Sequence, residues 1–556
     1  MATLAAPLEA QLASLQTAPE EPSRQRGERA FPAFLVSGLA LFAFAVGGYH
    51  PFAEDGGLYA AGVERLLDPA LFPHETAFIL EPMRHSLFAP TVATAVRLTH
   101  LSLPVVLLAL HLASIWTTLF AAWLLAARCW ASRRARAGAV TLLACWLTLP
   151  VAGTALLMMD PYATARSLST PCMVLALVGA LDITASGNPF NSQAGKRRRG
   201  TLLYVASIAL AATMHPLMAA YALGATLMLL PARSPNRSVR IYATAAFAAG
   251  ALLLAACLQA FAKSESADYV RIALTRTYWF PAQWRWFELI GLAAPLAILA
   301  IFACNDKICS RMPHISKSRC GTPGRFTQTN DAAQSLARMA VAVGVTACLI
   351  AILFARVAAA THPVARLQPL RAFQIVYMIL ILGLGAKLGE RILKRSALRW
   401  IATPLILGGI MFTAARSAFP NSNHLEVPGL TPKNPWIEAF LWIRANTAED
   451  ALFALDEDYI NSPGEDAQCF RAIAQRSALA DYSKDGGEVS IAPELTAAWL
   501  RAQSAQQRLS APTTTDADRL AVLRPLGVTW LVLDASATTH LDCPYKNSVV
   551  KVCWLR

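Results

Sequence analysis

Residues 103–136 read LPVVLLALHLASIWTTLFAAWLLAARCWASRRAR, an apolar run that ends in a segment with four arginines. A helix needs about 20 apolar residues to cross a bilayer, so this run is long enough to span one. Similar runs recur along the chain, and basic clusters follow alternate runs, at residues 128–136, 196–199, 233–240, 307–325 and 387–399. Because basic loops tend to stay in the cytoplasm, this alternation predicts a polytopic membrane protein with those loops inside.

The composition also indicates a membrane protein. The 556-residue chain is 55% hydrophobic and only 15% charged, whereas soluble domains carry about 25% charged residues. The net charge of +14 lies largely in loops that flank the apolar runs, where it specifies topology. We therefore predict no nucleic-acid partner, and we place the chain in the inner (plasma) membrane as a multi-pass protein.

Hydropathy and charge together predict a mainly α fold, a transmembrane bundle of about eleven spans with the N-terminus inside and the C-terminus outside. The predicted spans are about 31–48, 103–127, 137–157, 171–184, two in a hairpin around His215-Pro216, 241–261, 287–302, 337–359, 372–386 and 400–415. Residues 87–99 are apolar as well, but counting them as a span would put the arginines of 128–136 outside. We predict an interfacial or re-entrant helix there instead.

The chain divides into a cytoplasmic tail (1–30), the bundle (31–416) with a long first outer loop (49–100), a linker (417–430) and a soluble extracytoplasmic domain (431–556). In the last region, predicted helices at 436–446, 496–508 and 516–523 mix with predicted strands at 451–455 and 529–533. This mixture predicts a small α/β or α+β domain. Its cysteines are Cys469, Cys543 and Cys553, and disulfides can form outside the cell. Cys543 and Cys553 are able to close a terminal hairpin, but the spacing leaves the pairing open.

The first outer loop opens with two adjacent carboxylates, Glu54 and Asp55, near the outer end of a span. Carboxylates near an apolar boundary are costly and often functional. Close apposition of two acids would raise the pKa of one of them, which suits a general base. Gly56 and Gly57 would let the backbone turn sharply and a substrate approach closely. The alternative is structural, because Glu54 or Asp55 can simply begin the next helix as a cap.

The other predicted outer loops carry an acid, arginines and histidines. Asp160 and Arg166 lie in the second loop, where Arg166 can bind a phosphate or form an ion pair with Asp160. Basic residues are depleted outside, so the other outer arginines need an explanation; they are Arg84, Arg271, Arg276, Arg366 and Arg371. Either they hold an anionic ligand at the membrane surface or they contact lipid head groups. His215 and His362 are further candidates, although a lone histidine such as His215 is more often a packing residue.

In its architecture the chain resembles the glycosyltransferase-C (GT-C) superfamily of membrane enzymes. The shared features are an inner N-terminus, about eleven spans, a first outer loop that opens with Glu54-Asp55, and a C-terminal outer domain. The segments HPFAEDGGLYAAGVERLLDP, DPYATARSLSTP and WIRANTAEDALF also resemble those of uncharacterised bacterial membrane-protein families. No WWDYG-like motif is present, which argues against peptide N-glycosylation.

The resemblance implies a transferase whose donor is a sugar on a polyprenyl phosphate. Asp55 or Glu54 would be the catalytic base, and Asp160 a second acid. The residues expected to hold the phosphate and stabilise it as leaving group are Arg84, Arg166, Arg276, Arg366 and Arg371. No cofactor is required, and a divalent metal is optional because arginines can supply the positive charge. The expected partners are membrane lipid and a polyprenyl-linked sugar, and protein partners are left open.

Two other functions are left open by the sequence. One is a lipid or solute transporter or flippase, which would want polar residues at mid-span. The chain has no Walker A loop, so ATP-driven transport is not expected. The other is a non-catalytic scaffold whose outer domain binds a partner, and it predicts no cavity that joins Glu54 and Asp55 to the outer arginines. The position of Asp55 relative to Asp160, Arg276 and Arg371 therefore separates these functions.

Overall fold

The computed structural model describes residues 22–184, 193–304 and 324–555, and within them residues 22–418 are mostly helical. The helices there are α1 Pro22–Gly47, α2 Glu54–Leu67, α3 Thr76–Leu80, α4 Phe88–Thr99, α5 Leu103–Cys129, α6 Arg133–Cys145, α7 Ala165–Ile183, α8 Gln193–Met214, α9 Pro216–Ala232, α10 Arg237–Ala260, α11 Ala267–Leu274, α12 Trp286–Cys304, α13 Gly324–Phe354, α14 Pro363–Arg366, α15 Phe373–Lys387 and α16 Ala397–Ala418. A π-helical segment, Leu388–Leu393, continues α15.

A helix lies at the position of each predicted span. Among the described residues, seven segments are long and apolar enough to cross a membrane: Leu103–Cys129, Ala165–Ile183, Arg237–Ala260, Trp286–Cys304, Asp331–Phe354, Pro363–Leu393 and Ala397–Ala418. The helices Phe31–Gly47 and Pro216–Ala232 are apolar but shorter. The fold is mainly α, as predicted, while the number of crossings and their orientation stay predictions. Residues 1–21 of the predicted tail and most of the predicted basic loop 307–325 lie outside the described residues.

The third predicted span is helical only in its first half. Helix α6 ends at Cys145, and residues 146–164 follow an irregular path in which Pro150 and Leu157 form an isolated antiparallel bridge. Proline has no N–H to donate and disfavours helix at the preceding residue, so a helix is not expected to continue through Pro150. The irregular path returns to the first loop, where the His50 amide donates to the Pro161 carbonyl over 2.8 Å.

The loops that were predicted to share the cytoplasmic side do meet in space. Asp182, at the end of α7, pairs with Arg128 (Nη2–Oδ2 2.7 Å) and with Lys196 (Nζ–Oδ1 3.6 Å). Arg233 donates from Nη1 to the Leu181 carbonyl over 3.1 Å. These three basic residues come from three different loops that are predicted to face the cytoplasm. The three loops therefore lie together at one end of the bundle.

The segment predicted as an interfacial or re-entrant helix forms α4. With 12 residues it is too short to span a bilayer, which takes about 17–25 residues. Phe88 of α4 packs edge-on against Tyr59 of α2, with ring centroids 5.2 Å apart. The length of α4 argues against a twelfth span, and the helix lies against the one that begins with Glu54 and Asp55.

The C-terminal domain contains a five-stranded mixed sheet. Its strands are β1 Leu452–Ala454, β2 Ser477–Ala478, β3 Trp530–Asp534, β4 Tyr545–Lys546 and β5 Val550–Trp554, in the spatial order β2-β1-β3-β5-β4. Strand β1 runs parallel to β2 and β3, and β5 runs antiparallel to β3 and β4. The helices of the domain are α17 Pro435–Asn446, α18 Phe470–Ala474, α19 Lys484–Ile491, α20 Thr496–Gln506 and α21 Asp516–Leu523.

Helices cover both faces of this sheet. Successive side chains of β3 point to opposite faces, so each face has its own cluster of buried residues. Leu531 and Leu533 pack with Trp499 of α20 in one buried cluster. Trp530 and Val532 pack with Phe440 of α17 in another. The predicted helices and strands of this region are present with boundaries shifted by at most two residues, and together they form the predicted mixed domain.

A disulfide joins Cys543 and Cys553, while Cys469 is free and buried. The bond ties the segment before β4 to strand β5. Because a disulfide restricts the unfolded chain, we expect Cys543→Ala to lower the free energy of unfolding by about 2–3 kcal/mol. The measurement is the thermal midpoint of the full-length protein in detergent, with Cys257→Ala, at an exposed free cysteine, as the matched control. Equal midpoints for the two variants would contradict this expectation.

Candidate functional site

The two acids of the first loop begin α2. Glu54 has a left-handed backbone (φ 53°), and its amide donates to the Ala467 carbonyl of the C-terminal domain over 2.7 Å. The following glycines are required for packing rather than for substrate access. A Cβ on Gly57 would lie 2.1 Å from Cβ of Cys469, and one on Gly56 would lie 2.7 Å from the Pro51 carbonyl oxygen. Gly57 thus lets the start of α2 lie directly against the C-terminal domain, and Gly56 lets it lie against Pro51 and Tyr162.

Asp55 is joined to the second loop through Arg166. The Nη2 atom of Arg166 lies 2.9 Å from Oδ2 of Asp55 and 2.9 Å from Oδ2 of Asp160, and its Nε also donates to Asp160 over 3.1 Å. The ion pair that the sequence left as an alternative is therefore present, but Arg166 bridges it to Asp55. Asp160 is buried, and burial raises its pKa although Arg166 opposes this effect.

A lysine of the C-terminal domain completes the surroundings of the two acids. Lys484, the first residue of α19, forms an ion pair with Glu54 and lies 3.5 Å (Nζ–Oδ1) from Asp55. The start of α19 is anchored from within its own domain. Asp481 Oδ1 accepts the Lys484 amide at 2.6 Å, and buried Asp485 pairs with Arg471 at 2.7 Å.

Charge around Asp55 outweighs burial in setting its pKa. Burial alone would raise that pKa, but the positive charges of Lys484, Arg166 and Arg371 lower it below the ordinary value of an aspartate. This is the opposite of the rise that two neighbouring acids were expected to produce, because three cations rather than a second carboxylate dominate the site. In the absence of a ligand, Asp55 is therefore ionised throughout the physiological pH range.

A cavity of about 640 Å³ lies between the bundle and the C-terminal domain. Of the residues predicted from the sequence, its lining includes Asp55, Arg166, His215, Arg276, Arg366 and Arg371. Other polar lining residues are Tyr59, Glu81, His85, Ser86, Tyr278, Gln368, Ser483, Lys484 and Glu488. The apolar wall includes Leu58, Met214, Leu217, Leu367 and Ile491. All the predicted outer loops that carry candidate residues thus converge on one place.

The three arginines that line the cavity besides Arg166 have different partners. Arg276 donates to the carbonyls of Ser483 (2.8 Å) and Tyr482 (2.9 Å), and so holds the C-terminal domain against the bundle. Arg366 donates to the Tyr269 hydroxyl over 2.8 Å. The guanidinium of Arg371 makes no hydrogen bond or ion pair with any described residue. It is therefore the guanidinium that is free to bind a ligand.

Gln368 and Tyr278 are further polar residues beside Arg371. Oε1 of the buried Gln368 has no partner among the described residues, and Gln368 lines the cavity. Tyr278 lies with its ring centroid 5.9 Å from Cζ of Arg371. Buried polar groups are normally satisfied, so unpaired groups around a cavity indicate a ligand site.

The remaining predicted residues lie outside this lining. The Arg84 side chain is 61% exposed and pairs with Glu81 and Glu494 at the surface. His362 is fully buried, and its Nδ1 lies 2.8 Å from Oε2 of Glu265. Arg271 pairs with Asp268 on the surface. Glu54 forms an ion pair with Lys484, and Asp160 forms an ion pair with Arg166.

Two lining residues of the C-terminal domain, Lys484 and Glu488, escaped the sequence analysis. They belong to the segment KDGGE, in which charged residues flank paired glycines. The first loop also has paired glycines directly after two charged residues, at EDGG, and that similarity was an available signal. As in the first loop, a glycine allows close contact here, because a Cβ on Gly486 would lie 2.5 Å from Nη2 of Arg276.

Glu488 gives the protein a testable pH dependence. Burial, together with the charges of Asp55, Asp485 and Glu81, raises its pKa from 4.5 to about 8. A raised carboxyl pKa contributes stability that is complete below the unfolded-state pKa and is lost as the pH rises through about 8. We therefore expect the thermal midpoint of the full-length protein to fall between about pH 5 and about pH 9, and to fall less in Glu488→Gln. If the thermal midpoints of the wild type and Glu488→Gln change equally with pH, the raised pKa assigned to Glu488 is contradicted.

The described residues offer cations rather than metal ligands at this site. No group of three His, Cys, Asp or Glu side chains in the described part of the chain is arranged to hold a metal ion. The cavity instead gathers five basic side chains, those of Arg166, Arg276, Arg366, Arg371 and Lys484. Such a set is suited to an anionic ligand, for which arginine provides bidentate hydrogen bonds.

Comparisons with known proteins find structural likeness only. No protein-family model and no curated protein matches the chain. The chain is similar to the crystal structure of the oligosaccharyltransferase of Archaeoglobus fulgidus in the apo form, at 12% identity and a TM-score of 0.41, covering 91% of this chain and 70% of that one. It is also similar to AglB, an oligosaccharyltransferase of the same organism, in complex with an inhibitory peptide and a dolichol-phosphate, at 13% identity, a TM-score of 0.40 and the same coverage. Likeness at this level says nothing about the substrate, so function rests on the cavity.

Proposed function

We propose that the protein is a membrane glycosyltransferase of the GT-C type, which moves a sugar from a polyprenyl-phosphate donor to an acceptor at the outer face of the membrane. The observation that carries this proposal is that one cavity holds both an ionised carboxylate, Asp55, and an unpaired guanidinium, Arg371. Sugar transfer from a phosphate needs these two groups, one to accept a proton and one to bind the departing phosphate.

The donor's phosphate is expected to bind at Arg371. The guanidinium has no competing partner among the described residues, and Gln368 and Tyr278 beside it can donate hydrogen bonds. Apolar residues of the same cavity, including Leu217, Leu367 and Ile491, suit the first part of a lipid chain. Leu367 and Ile491 are exposed as well as lining, so a lipid tail can continue past them to the outside of the bundle.

The proposed reaction uses Asp55 as the base and Arg371 as the group that binds the phosphate. An acceptor hydroxyl beside Asp55 attacks the anomeric carbon while its proton passes to the carboxylate. The new bond joins the acceptor oxygen to the anomeric carbon, and the bond from that carbon to the phosphate oxygen breaks. The electron pair of the broken bond stays on the phosphate, which leaves as polyprenyl phosphate with its charge stabilised by Arg371.

The three candidate acids take different parts in this scheme. Asp55 is the base because it lines the cavity. Asp160 orients Arg166, to which it is bound by two hydrogen bonds. Glu54 pairs with Lys484. Of these three candidate acids, Asp55 is the one that lines the cavity, while Asp160 and Glu54 each hold one of the cations around it.

The cavity argues against the scaffold, which predicted no connection between the first-loop acids and the arginines. No described feature specifically favours a transporter. Peptide N-glycosylation is not proposed, because the chain has no WWDYG-like motif. The proposed location remains the inner membrane with the C-terminal domain outside, supported by the convergence of Arg128, Lys196 and Arg233 at the opposite set of loops.

The test is a transfer assay. Purified full-length protein is incubated with radiolabelled polyprenyl-linked sugars and a cell-envelope extract that contains acceptors. We expect label to pass from the lipid-linked donor into an acceptor with at least one donor sugar. No transfer with any donor, from protein that is folded and binds no polyprenyl phosphate, would refute the proposal.

A further inference from the structure

We propose that Lys484 is a second catalytic cation, which holds Glu54 and Asp55 before the donor binds and moves to the donor's phosphate when it does. This inference rests on the proposed function and adds a residue from the C-terminal domain to it. It assigns that domain a direct part in the chemistry, beyond covering the cavity.

The position of Lys484 is fixed at its backbone and free at its side chain. Its amide is held by Asp481, and the preceding carbonyls of Tyr482 and Ser483 accept hydrogen bonds from Arg276. The side chain is 17% exposed and lines the cavity. A fixed backbone with a flexible four-carbon stem allows the ammonium to change partners without moving the domain.

Among the cations near Asp55, Lys484 is the one able to make this change. Arg166 is buried and held by two hydrogen bonds to Asp160. Arg276 is occupied by two backbone carbonyls. The only partners of the Lys484 ammonium among the described residues are the two acids, Glu54 and Asp55. Both partners are carboxylates, and a phosphate is a competing anionic partner.

The exchange would activate the base at the moment when it is needed. Before the donor binds, Lys484 lowers the proton affinity of Asp55, which makes that carboxylate a weak base. Once the ammonium pairs with the phosphate, its positive charge is neutralised and the proton affinity of Asp55 rises. The other titratable or charged groups that act on or contact Asp55 stay in place; they are Glu54, Tyr59, Asp160, Tyr162, Arg166, Arg371 and Glu488.

The bonds that form and break in the sugar transfer are the same as those proposed above. The acceptor proton still passes to Asp55, and the electron pair of the broken bond still stays on the phosphate. Lys484 adds a second positive charge to the leaving phosphate opposite Arg371. Because charge-assisted hydrogen bonds are roughly twice as strong as neutral ones, losing this contact should be measurable in both binding and rate.

The test compares Lys484→Met with Lys484→Arg, and with Lys546→Met at an exposed lysine of the same domain. In Lys484→Met we expect affinity for polyprenyl phosphate to fall about tenfold and kcat about 100-fold. The acid limb of the pH profile of kcat/KM should also move to higher pH, because Asp55 loses a cation. Lys484→Arg should stay within about tenfold of the wild type, and Lys546→Met should match the wild type.

Each outcome decides the inference. If Lys484→Met lowers only the thermal midpoint and leaves the acid limb and kcat unchanged, Lys484 is a docking residue and the inference is wrong. If the wild type transfers no sugar but binds polyprenyl phosphate through Lys484, the proposed reaction fails while the phosphate contact stands. If the wild type neither transfers sugar nor binds the lipid, both are refuted.

Discussion

Asp55→Asn should reduce sugar transfer by about 10³-fold, within the range that general bases contribute. The amide has the size of the carboxylate and its oxygen can still accept the hydrogen bond from Arg166, but it cannot take up a proton. The fold should survive, because Asp55 is partly exposed and Arg166 keeps Asp160 as its partner. The measurement is the initial rate of transfer at saturating donor, together with the thermal midpoint of the same preparation.

The matched control is Asp160→Asn. Asp160 is buried and supplies two of the hydrogen bonds of Arg166, so its replacement should destabilise the protein more than Asp55→Asn does. We expect Asp55→Asn to lose transfer activity while its thermal midpoint stays normal. We expect Asp160→Asn to have a lower thermal midpoint. Transfer by Asp55→Asn within tenfold of the wild type would remove Asp55 from the role of base.

Arg371→Gln should weaken binding of the donor by about 100-fold, as expected when a bidentate charge-assisted contact to phosphate is lost. Arg371 is the lining guanidinium that has no hydrogen bond or ion pair with the described residues, so its removal costs the fold only the contact with the Tyr278 ring. The measurement is the Kd for polyprenyl phosphate, with KM and kcat from the transfer assay. Arg371→Lys should recover part of the affinity, because it restores the charge without the fork of donors.

Arg84→Gln provides the control for Arg371. The sequence grouped both arginines as phosphate ligands, but Arg84 lies at the surface with Glu81 and Glu494. Its replacement should leave the Kd for the lipid within about twofold of the wild type, since exposed ion pairs contribute little. Equal losses of affinity for the two variants would indicate a diffuse electrostatic attraction and no phosphate site at Arg371.

Much of this architecture was accessible from the sequence because lipid imposes a simple rule on each span. An apolar run of sufficient length predicts a helix, and the charge of each loop predicts its side. Loops on one side of a bundle lie near one another, so the transferase hypothesis expects Asp55, Arg166 and Arg371 to be neighbours, and all three line the cavity. In the C-terminal domain, the helix predicted at 516–523 matches α21 because Thr515 and Asp518 form a capping box.

The rest depends on contacts that no local pattern encodes. Lys484 and Asp55 are 429 residues apart in the chain, and only the docking of the C-terminal domain brings them together. Docking also adds Lys484 to the cations that lower the pKa of Asp55 below its ordinary value. The helix predicted over 137–157 fails after Cys145, where Pro150 interrupts an otherwise apolar run and a buried irregular segment follows.

The most direct test of the account is an electron cryomicroscopy structure of the full-length protein with polyprenyl phosphate. We predict phosphate density in the cavity between the bundle and α19, within hydrogen-bonding distance of the Arg371 guanidinium. The Lys484 ammonium should have left Glu54 for the phosphate, and Asp55 should face the open part of the cavity. Phosphate bound away from Arg371, or a cavity that stays empty at saturating lipid, would contradict the account.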